Sequence, residues 1–256
     1  MKIATWNVNS IRARLPRLLD WLAKHRPDVL CLQELKVEAK AFPAAPLAAL
    51  GYEAVVCGQR SYNGVALLSR APMTGVTAGM DDGDPDPQAR LISGVLVGVR
   101  VLSVYMPNGQ SVPSDKFEYK LRWMERFRAH VARAYRPDER LVVCGDFNVA
   151  PEPADVYDPA GWVNEPIFHA DARASLARIA GFGWVDVVRQ HHPEPALYSY
   201  WDYRMQAFAK DHGLRIDHLW ATPPQATRCT MASVDREARK GAAPSDHAPL
   251  IAEFAD

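Results

Sequence analysis

Reactive side chains stand where short apolar runs of this chain stop. Asn7 follows Ile3–Trp6, Glu34 follows VLCLQ, Tyr105 follows VLSV, and Asp146 and Asn148 follow LVVC within GDFN. Asp217 lies within Ile216–Ala221, and Ser245-Asp246-His247 stands directly before PLIAEF. In packed sheets, strand ends are where side chains from distant parts of a chain converge, because the rigid layers hold the loops in register. The convergence expected here is an acidic cluster with one histidine. Hard oxygen donors suit Mg²⁺, with Mn²⁺ as a substitute, better than zinc. A Mg²⁺ held by few carboxylates keeps positions open for a phosphate oxygen. A histidine paired with aspartate would carry a raised pKa and donate a hydrogen bond to that phosphate. The chemistry such a set could perform is phosphoester hydrolysis.

Each residue taken singly also has a plainer reading. Asp146 could be a turn former, Asn7 an N-cap for a helix near Ile11, and Glu34 the start of a solvated stretch with Lys36 and Glu38. Tyr105 could merely pack, with Pro107-Asn108-Gly109 as a turn, and Asp246-His247 could be a surface turn. Their joint occurrence at strand ends is what favours a site.

The elements that would position them alternate along the whole chain. Strand candidates are Ile3–Trp6, Val29–Leu32, Val65–Leu68, Leu91–Val99, Val101–Tyr105, Leu141–Cys144, Ile216–Ala221 and Pro249–Phe254. Ile11, Leu15, Leu18, Leu19 and Leu22 keep a helical spacing, as do Phe117, Leu121, Met124 and Val131, with Ser114-Asp115 as a start and Pro137 as a stop. No polar linker divides the 256 residues, so a single α/β domain over 1–256 is expected. The acidic stretch Asp81, Asp82, Asp84, Asp86 reads as a solvated loop, since Gly83 falls wrongly for a calcium-binding loop and no glutamate closes it.

Composition narrows the partners. With 30 Lys+Arg against 30 Asp+Glu, any nucleic acid must be met by a local patch. The four cysteines form no CxxC pair and read as reduced residues. The N-terminus lacks the apolar run of a signal peptide, and no stretch is apolar for long enough to span a membrane. A cytoplasmic protein that makes no membrane contact and acts as a monomer is expected.

The segments WNVNSIRAR, LCLQELK, NGVALLSR, QARLI, VYMPNG, CGDFNVAP, YSYWDYR, GLRIDHLWAT and SDHAPL, in this order, resemble the exonuclease III family of AP endonucleases. GDFN and SDH recur across the wider endonuclease, exonuclease and phosphatase superfamily, and the blocks from WDYR to IDHLWAT narrow the resemblance to its DNA-repair branch. The resemblance implies a four-layered α/β sandwich, two packed mixed sheets flanked by helices. It implies a metal bound by Glu34 with Asn7 and Asp246, and an attacking water deprotonated or oriented by Asp146. Asn148 would then stabilise developing charge, Asp217 would orient His247 against the phosphate, and Tyr105 would sit near the scissile bond. In a two-metal reading Asp146, Asn148 and His247 are ligands as well, and both readings stand.

By the same resemblance the reaction is hydrolysis of the phosphodiester 5′ to an abasic site in double-stranded DNA, with 3′–5′ exonuclease and 3′-end-cleaning activity. DNA contacts would come from Arg90, Asn108 and Arg204, and an apolar sugar pocket from Tyr200, Trp201, Leu214 and Ile216, although some relatives carry an aromatic at the position of Leu214. Trp201 and Tyr203 could equally be core aromatics. Arg12, Arg14, Lys36, Arg60 and Lys210 are further candidates for phosphate contacts. Residues 166–173 correspond to a loop that varies among relatives, and His169 there has no assigned role. Alternatives are a non-catalytic nucleic-acid-binding regulator on the same fold and a phosphoesterase for a non-DNA substrate. The regulator reading is disfavoured because Glu34, Asp146, Asn148, Asp217, Asp246 and His247 are all in place.

Overall fold

The computed structural model describes residues 1–84 and 86–255. Its strands are β1 (Lys2–Asn7), β2 (Val29–Gln33), β3 (Glu53–Cys57), β4 (Val65–Ser69), β5 (Thr74–Ala78), β6 (Leu91–Leu96), β7 (Val99–Tyr105), β8 (Leu141–Asp146), β9 (Val185–Asp186), β10 (Asp217–Ala221), β11 (Cys229–Val234) and β12 (Leu250–Phe254). They form two six-stranded mixed sheets, ordered β11-β12-β1-β2-β4-β3 and β5-β6-β7-β8-β10-β9. The pairs β1/β2 and β7/β8 are parallel. The helices are α1 (Ile11–His25), α2 (Ala44–Ala48), α3 (Asp115–Ala134), α4 (Pro159–Trp162), α5 (Ala170–Ala180), α6 (Val187–His191), α7 (Ala207–Lys210) and α8 (Pro223–Ala226).

Side-chain alternation builds the layers. On β1, Ile3 points between the sheets while Ala4 and Trp6 point outward, where α1 covers them with Ile11, Leu18, Trp21 and Leu22. The second sheet sends Val101, Val142, Cys144 and Leu219 inward, and packs Leu102, Val104 and Val143 against Phe117, Met124, Phe127 and Val131 of α3 and Leu176 and Ile179 of α5. The result is helix, sheet, sheet, helix: the expected four-layered α/β sandwich. Both long amphipathic helices start at serine caps, Ser10 accepting from Ala13 N and Ser114 from Phe117 N, so Asn7 is not a cap.

Three expectations are corrected. Leu91–Val99 is not one strand: β6 stops at Leu96, and Val97 (φ 49°) and Gly98 (φ 74°) make a two-residue hairpin turn into β7. Residues 170–173 are not loop but the first turn of α5, capped by His169, whose Nδ1 accepts from Asp171 N at 3.2 Å. The acidic stretch is loop, but it is partly tied down, with Arg126 pairing with Asp82 at 2.9 Å and Tyr119 donating to Asp86 at 3.0 Å. Strands β3, β5, β9 and β11 have no counterpart among the sequence candidates, and all four are sheet edges.

Candidate active site

The inward rows of both sheets turn polar at the same end. Ile3, Thr5 and Asn7 alternate along β1, and Val29, Cys31 and Gln33 along β2. Opposite them, Tyr105, Asp146 and Asp217 lie side by side on β7, β8 and β10, since Asp146 is the ladder partner of both neighbours. Beneath this floor Gln33 Nε2 donates to Thr5 Oγ1 and Ser103 Oγ, both at 3.0 Å, which ties the two sheets together just below the site. Gly145 is required for the approach: it has φ 143°, and a Cβ there would lie 1.9 Å from Val104 O.

Loops complete the cluster. The first amides of α1 are satisfied by the turn after β2, Ser10 N donating to Glu34 O at 2.8 Å and Ile11 N to Leu35 O at 3.1 Å. This places Glu34 (φ 52°) over Asn7, whose Nδ2 donates to Glu34 Oε1 and to Asp146 Oδ2, each at 2.9 Å. His247 arrives from the turn before β12, with Nδ1 2.8 Å from Asp217 Oδ2 and Nε2 3.7 Å from Asp146 Oδ2. Ligand atoms of Glu34, Asp146 and His247 all lie within 4.8 Å of one another, a donor set of two carboxylates and one imidazole that fits a divalent cation.

The electrostatics follow from burial and crowding. Burial raises the Asp146 pKa, His247 opposes this, and the Asp217 and Glu34 carboxylates add to it, leaving it at about 7. For His247 burial works downward, but Asp217 and Asp146 outweigh it and hold the ring up at about 10. Burial also works against the Glu34 carboxylate, which Lys36 and Asn7 nevertheless hold below its usual value, and the Lys36 ammonium is 2.9 Å from Glu34 Oε2. The Tyr105 hydroxyl is pushed well up by burial and by Glu34 and Asp146, so it stays protonated.

Other expected residues are not all in the cluster. Asp246 accepts from Asn9 Nδ2 at 3.0 Å and is absent from the three-residue donor set. Asn7 turns its amide nitrogen toward the carboxylates while its Oδ1 accepts from Asn9 N at 3.0 Å. Asn148 (φ 50°) donates to Met106 O and accepts from the Asn108 amide at 3.0 Å, so Asn108 is joined to the site and is itself exposed. Tyr200 is half-buried with its ring 5.0 Å from that of His247.

The apolar pocket reading needs correction. Trp201 is 1% exposed and packs with Tyr198, Ala207 and Ala248, so it is a core residue. Leu214 and Ile216 are buried with Ala150, Val156, Ile167 and Phe168, and Tyr200 covers them. Arg90 is also buried: its guanidinium lies 4.9 Å from the Tyr105 ring centroid and bonds Gln88 and the Tyr105 carbonyl, which makes it a support for Tyr105 in this arrangement. Arg204 is exposed and bonds Asp202 at 2.8 Å. Arg12, Arg60 and Lys210 are exposed at the surface, whereas Arg14 bonds the Tyr203 hydroxyl at 2.6 Å.

Sequence reasoning missed two groups. Ser199 is buried, donates to Asp217 Oδ2 at 2.7 Å and accepts from the amides of Ile216 and Asp217, fixing the carboxylate that holds His247. Nothing in YSYW signals this role. Lys120 is buried at the head of α3 with three carbonyl partners, and here a signal existed: it falls on the apolar stripe of Phe117, Met124, Phe127 and Val131.

A model of the endonuclease/exonuclease/phosphatase family matches residues 4–247. The chain belongs to this family. Within it, exodeoxyribonuclease III of Haemophilus influenzae is 31% identical over 266 aligned positions, covering 99% of this chain and 100% of that protein. An AP endonuclease from Archaeoglobus fulgidus superimposes with a TM-score of 0.97 at 42% identity, covering 100% of both chains. The 3′ phosphatase NExo from Neisseria, solved with a product DNA hairpin, does so with a TM-score of 0.95, also at 42% identity and full coverage of both. The endonuclease/exonuclease/phosphatase family is metal-dependent, in keeping with the Glu34, Asp146 and His247 group. Among the described residues no helix is long and apolar enough to cross a membrane.

Proposed function

We propose that the protein is a DNA-repair phosphodiesterase that hydrolyses the bond 5′ to abasic sites in duplex DNA and trims or cleans 3′ ends. The observation that carries this reading is His247 held between Asp217 and Asp146, at 2.8 and 3.7 Å, with the Glu34 carboxylate beside them. It is supported by the relatives above, named as an exodeoxyribonuclease, an AP endonuclease and a 3′ phosphatase. The protein is proposed to act as a monomer in the cytoplasm, where its four free thiols would stay reduced.

Asp146, whose pKa lies at about 7, accepts a proton from the attacking water near neutral pH. His247 stays charged because of Asp217 and donates through Nε2 toward a phosphate oxygen. The Asn148 amide, oriented by Met106 O and Asn108, offers its second N–H to charge developing on the phosphate. Tyr105, protonated, borders the same space. Mg²⁺, with Mn²⁺ as substitute, would be held by Glu34, with Asp146, Asn7 and Asp246 as further candidates, and would neutralise phosphate charge and polarise the bond to be broken; His247 would join the ligands only in a two-metal arrangement in which its ring is neutral. Tyr200, above the buried Leu214 and Ile216, would meet the sugar next to the scissile phosphate.

A 5′-labelled duplex with one abasic analogue, incubated with Mg²⁺ or with EDTA beside an undamaged duplex with a recessed 3′ end, tests the reading. Metal-dependent incision at the lesion is expected, with a ladder from the recessed end. No cleavage of either DNA by folded, metal-loaded protein would sink it.

A further inference from the structure

We infer that Lys120 is a positioning residue that fixes the carboxamides of Asn108 and Asn148 by anchoring three converging loops. The inference rests on the proposed reaction for its effect on turnover, and on geometry alone for the anchor itself. Lys120 is 0% exposed. Its ammonium donates to Asn148 O at 2.6 Å, Pro166 O at 2.9 Å and Asn108 O at 3.0 Å. These carbonyls belong to the segments after β7, after β8 and before α5. A lysine has three donors and no acceptor, so the set is fully matched.

The fold alone does not call for a charge here. Lys120 sits one turn after Phe117 and one before Met124 on the stripe that packs α3 on the second sheet, a place where an apolar residue would serve. A buried ammonium without a carboxylate ion-pair partner costs stability unless its protons are bonded, and here they are bonded to backbone that carries the site. Burial lowers the pKa of this group to about 7, with Asp146 acting to raise it. What the anchor controls is visible one bond further on. Asn148 Nδ2 donates to Met106 O at 2.9 Å and Asn108 Nδ2 to Asn148 Oδ1 at 3.0 Å, so the two carboxamides are linked to each other, and both extend from residues whose own carbonyls Lys120 holds.

Packing around the anchor leaves it little room to move. A Cβ on Gly109 would lie 3.0 Å from Pro166 Cβ, 3.1 Å from Lys120 Cδ and 3.2 Å from Phe117 Cδ2. Gly109 therefore allows the Asn108 segment to close onto the lysine, and its φ of 98° also favours glycine.

The test compares Lys120→Met with Val131→Ala, a cavity variant on the same stripe of α3 but away from the site. Lys120→Met leaves three carbonyls without their donor, so it is expected to lower the melting temperature, as the cavity in Val131→Ala does. Its kcat on abasic duplex is expected to fall roughly 10- to 100-fold with KM within about threefold, because displaced groups near the reacting atoms lose rate more than affinity. Val131→Ala is expected to lower the melting temperature and keep kcat. Side-chain amide NMR signals of Asn108 and Asn148, read without DNA, should shift and broaden in Lys120→Met and not in Val131→Ala. If Lys120→Met does not fold, Lys120→Gln, which keeps two donors on a shorter uncharged chain, is read by the same two measurements. Unchanged amide signals, or a kcat loss no larger than in Val131→Ala, would overturn the inference. A wild type that cuts no DNA would refute the proposed reaction instead, and the amide signals would still decide whether Lys120 is the anchor.

Discussion

Asp146 and Asp217 are direct ladder partners across β8 and β10, both about 1% exposed, and a single imidazole, that of His247, reaches both carboxylates. Two carboxylates opposed in a sheet repel each other, so the pair is tolerable only with a cation or a proton between them. The arrangement gives two like residues unlike tasks: Asp217 is bonded to His247 and Ser199, while Asp146 is raised to about 7 and turned toward Glu34 and Asn7.

Asp146→Asn should fold as the wild type does, since it removes charge without removing volume and relieves the repulsion with Asp217. Turnover on abasic duplex should fall by orders of magnitude because the proton acceptor is lost. Steady-state cleavage beside a thermal melt checks this, and wild-type-like turnover would remove Asp146 from its role.

In metal-free protein, His247 titrates at about 10 because Asp217 and Asp146 hold its proton. A folded pKa above the unfolded value of about 6.5 means the stabilisation is complete below that pH and is lost as pH rises through about 10. Asp217→Asn should bring the His247 value down, and alkaline unfolding should begin at lower pH. Ring proton shifts of His247 followed against pH would show either outcome.

Glu34→Ala should weaken Mg²⁺ binding while sparing the fold, because Glu34 lies in a loop and packs no core. Lys36 then loses its 2.9 Å partner. Calorimetric titration of Mg²⁺ into the variant should show a lower affinity than in the wild type, and an unchanged isotherm would strike Glu34 from the ligand set.

Arg215, 2% exposed, bonds Asp155 at 2.7 Å and Asp186 at 2.6 Å, and the buried His218 ring links it to Val149 O. This brace holds the segment after Asn148 against the strand that carries Asp217. Burial opposes ionisation of both carboxylates, but the guanidinium overcomes it and depresses their pKa values. Their stabilisation is therefore present above the unfolded carboxylate value of about 4 and is lost as pH falls through the lower native values. Asp155→Ala leaves the guanidinium short of a buried partner and should cost about 3 kcal/mol or more in urea unfolding. The stability gap between the wild type and this variant should be full above about pH 4 and should close as pH falls below it, and coincident curves above that pH would count against the brace.

The eight strand candidates of the sequence correspond to the eight central strands, β1, β2, β4, β6, β7, β8, β10 and β12, and the four strands without a candidate are the sheet edges. The reason is physical. A strand covered on both faces must be apolar at nearly every position, as VALLS and LVVC are, whereas an edge strand such as the wholly exposed β5, TGVTA, carries no such pattern. The same rule made the site legible, because a polar side chain at the end of a doubly buried run is conspicuous.

What the linear order could not contain was which polar ends meet. Asn7 and Asp146, far apart in the chain, touch at 2.9 Å because the sheets pack face to face. Asp246 and His247, adjacent in sequence, take different partners, Asn9 for the one and Asp217 for the other. Trp201, Leu214 and Ile216 carry the composition of a pocket, and only packing decides that Leu214 and Ile216 lie under Tyr200 and that Trp201 is core beside Tyr198. Residue type and strand position thus determined the chemistry available to this protein. The tertiary structure decided which groups share one space, since distance across the sheets and direction of each side chain are properties of the packed layers and not of sequence spacing.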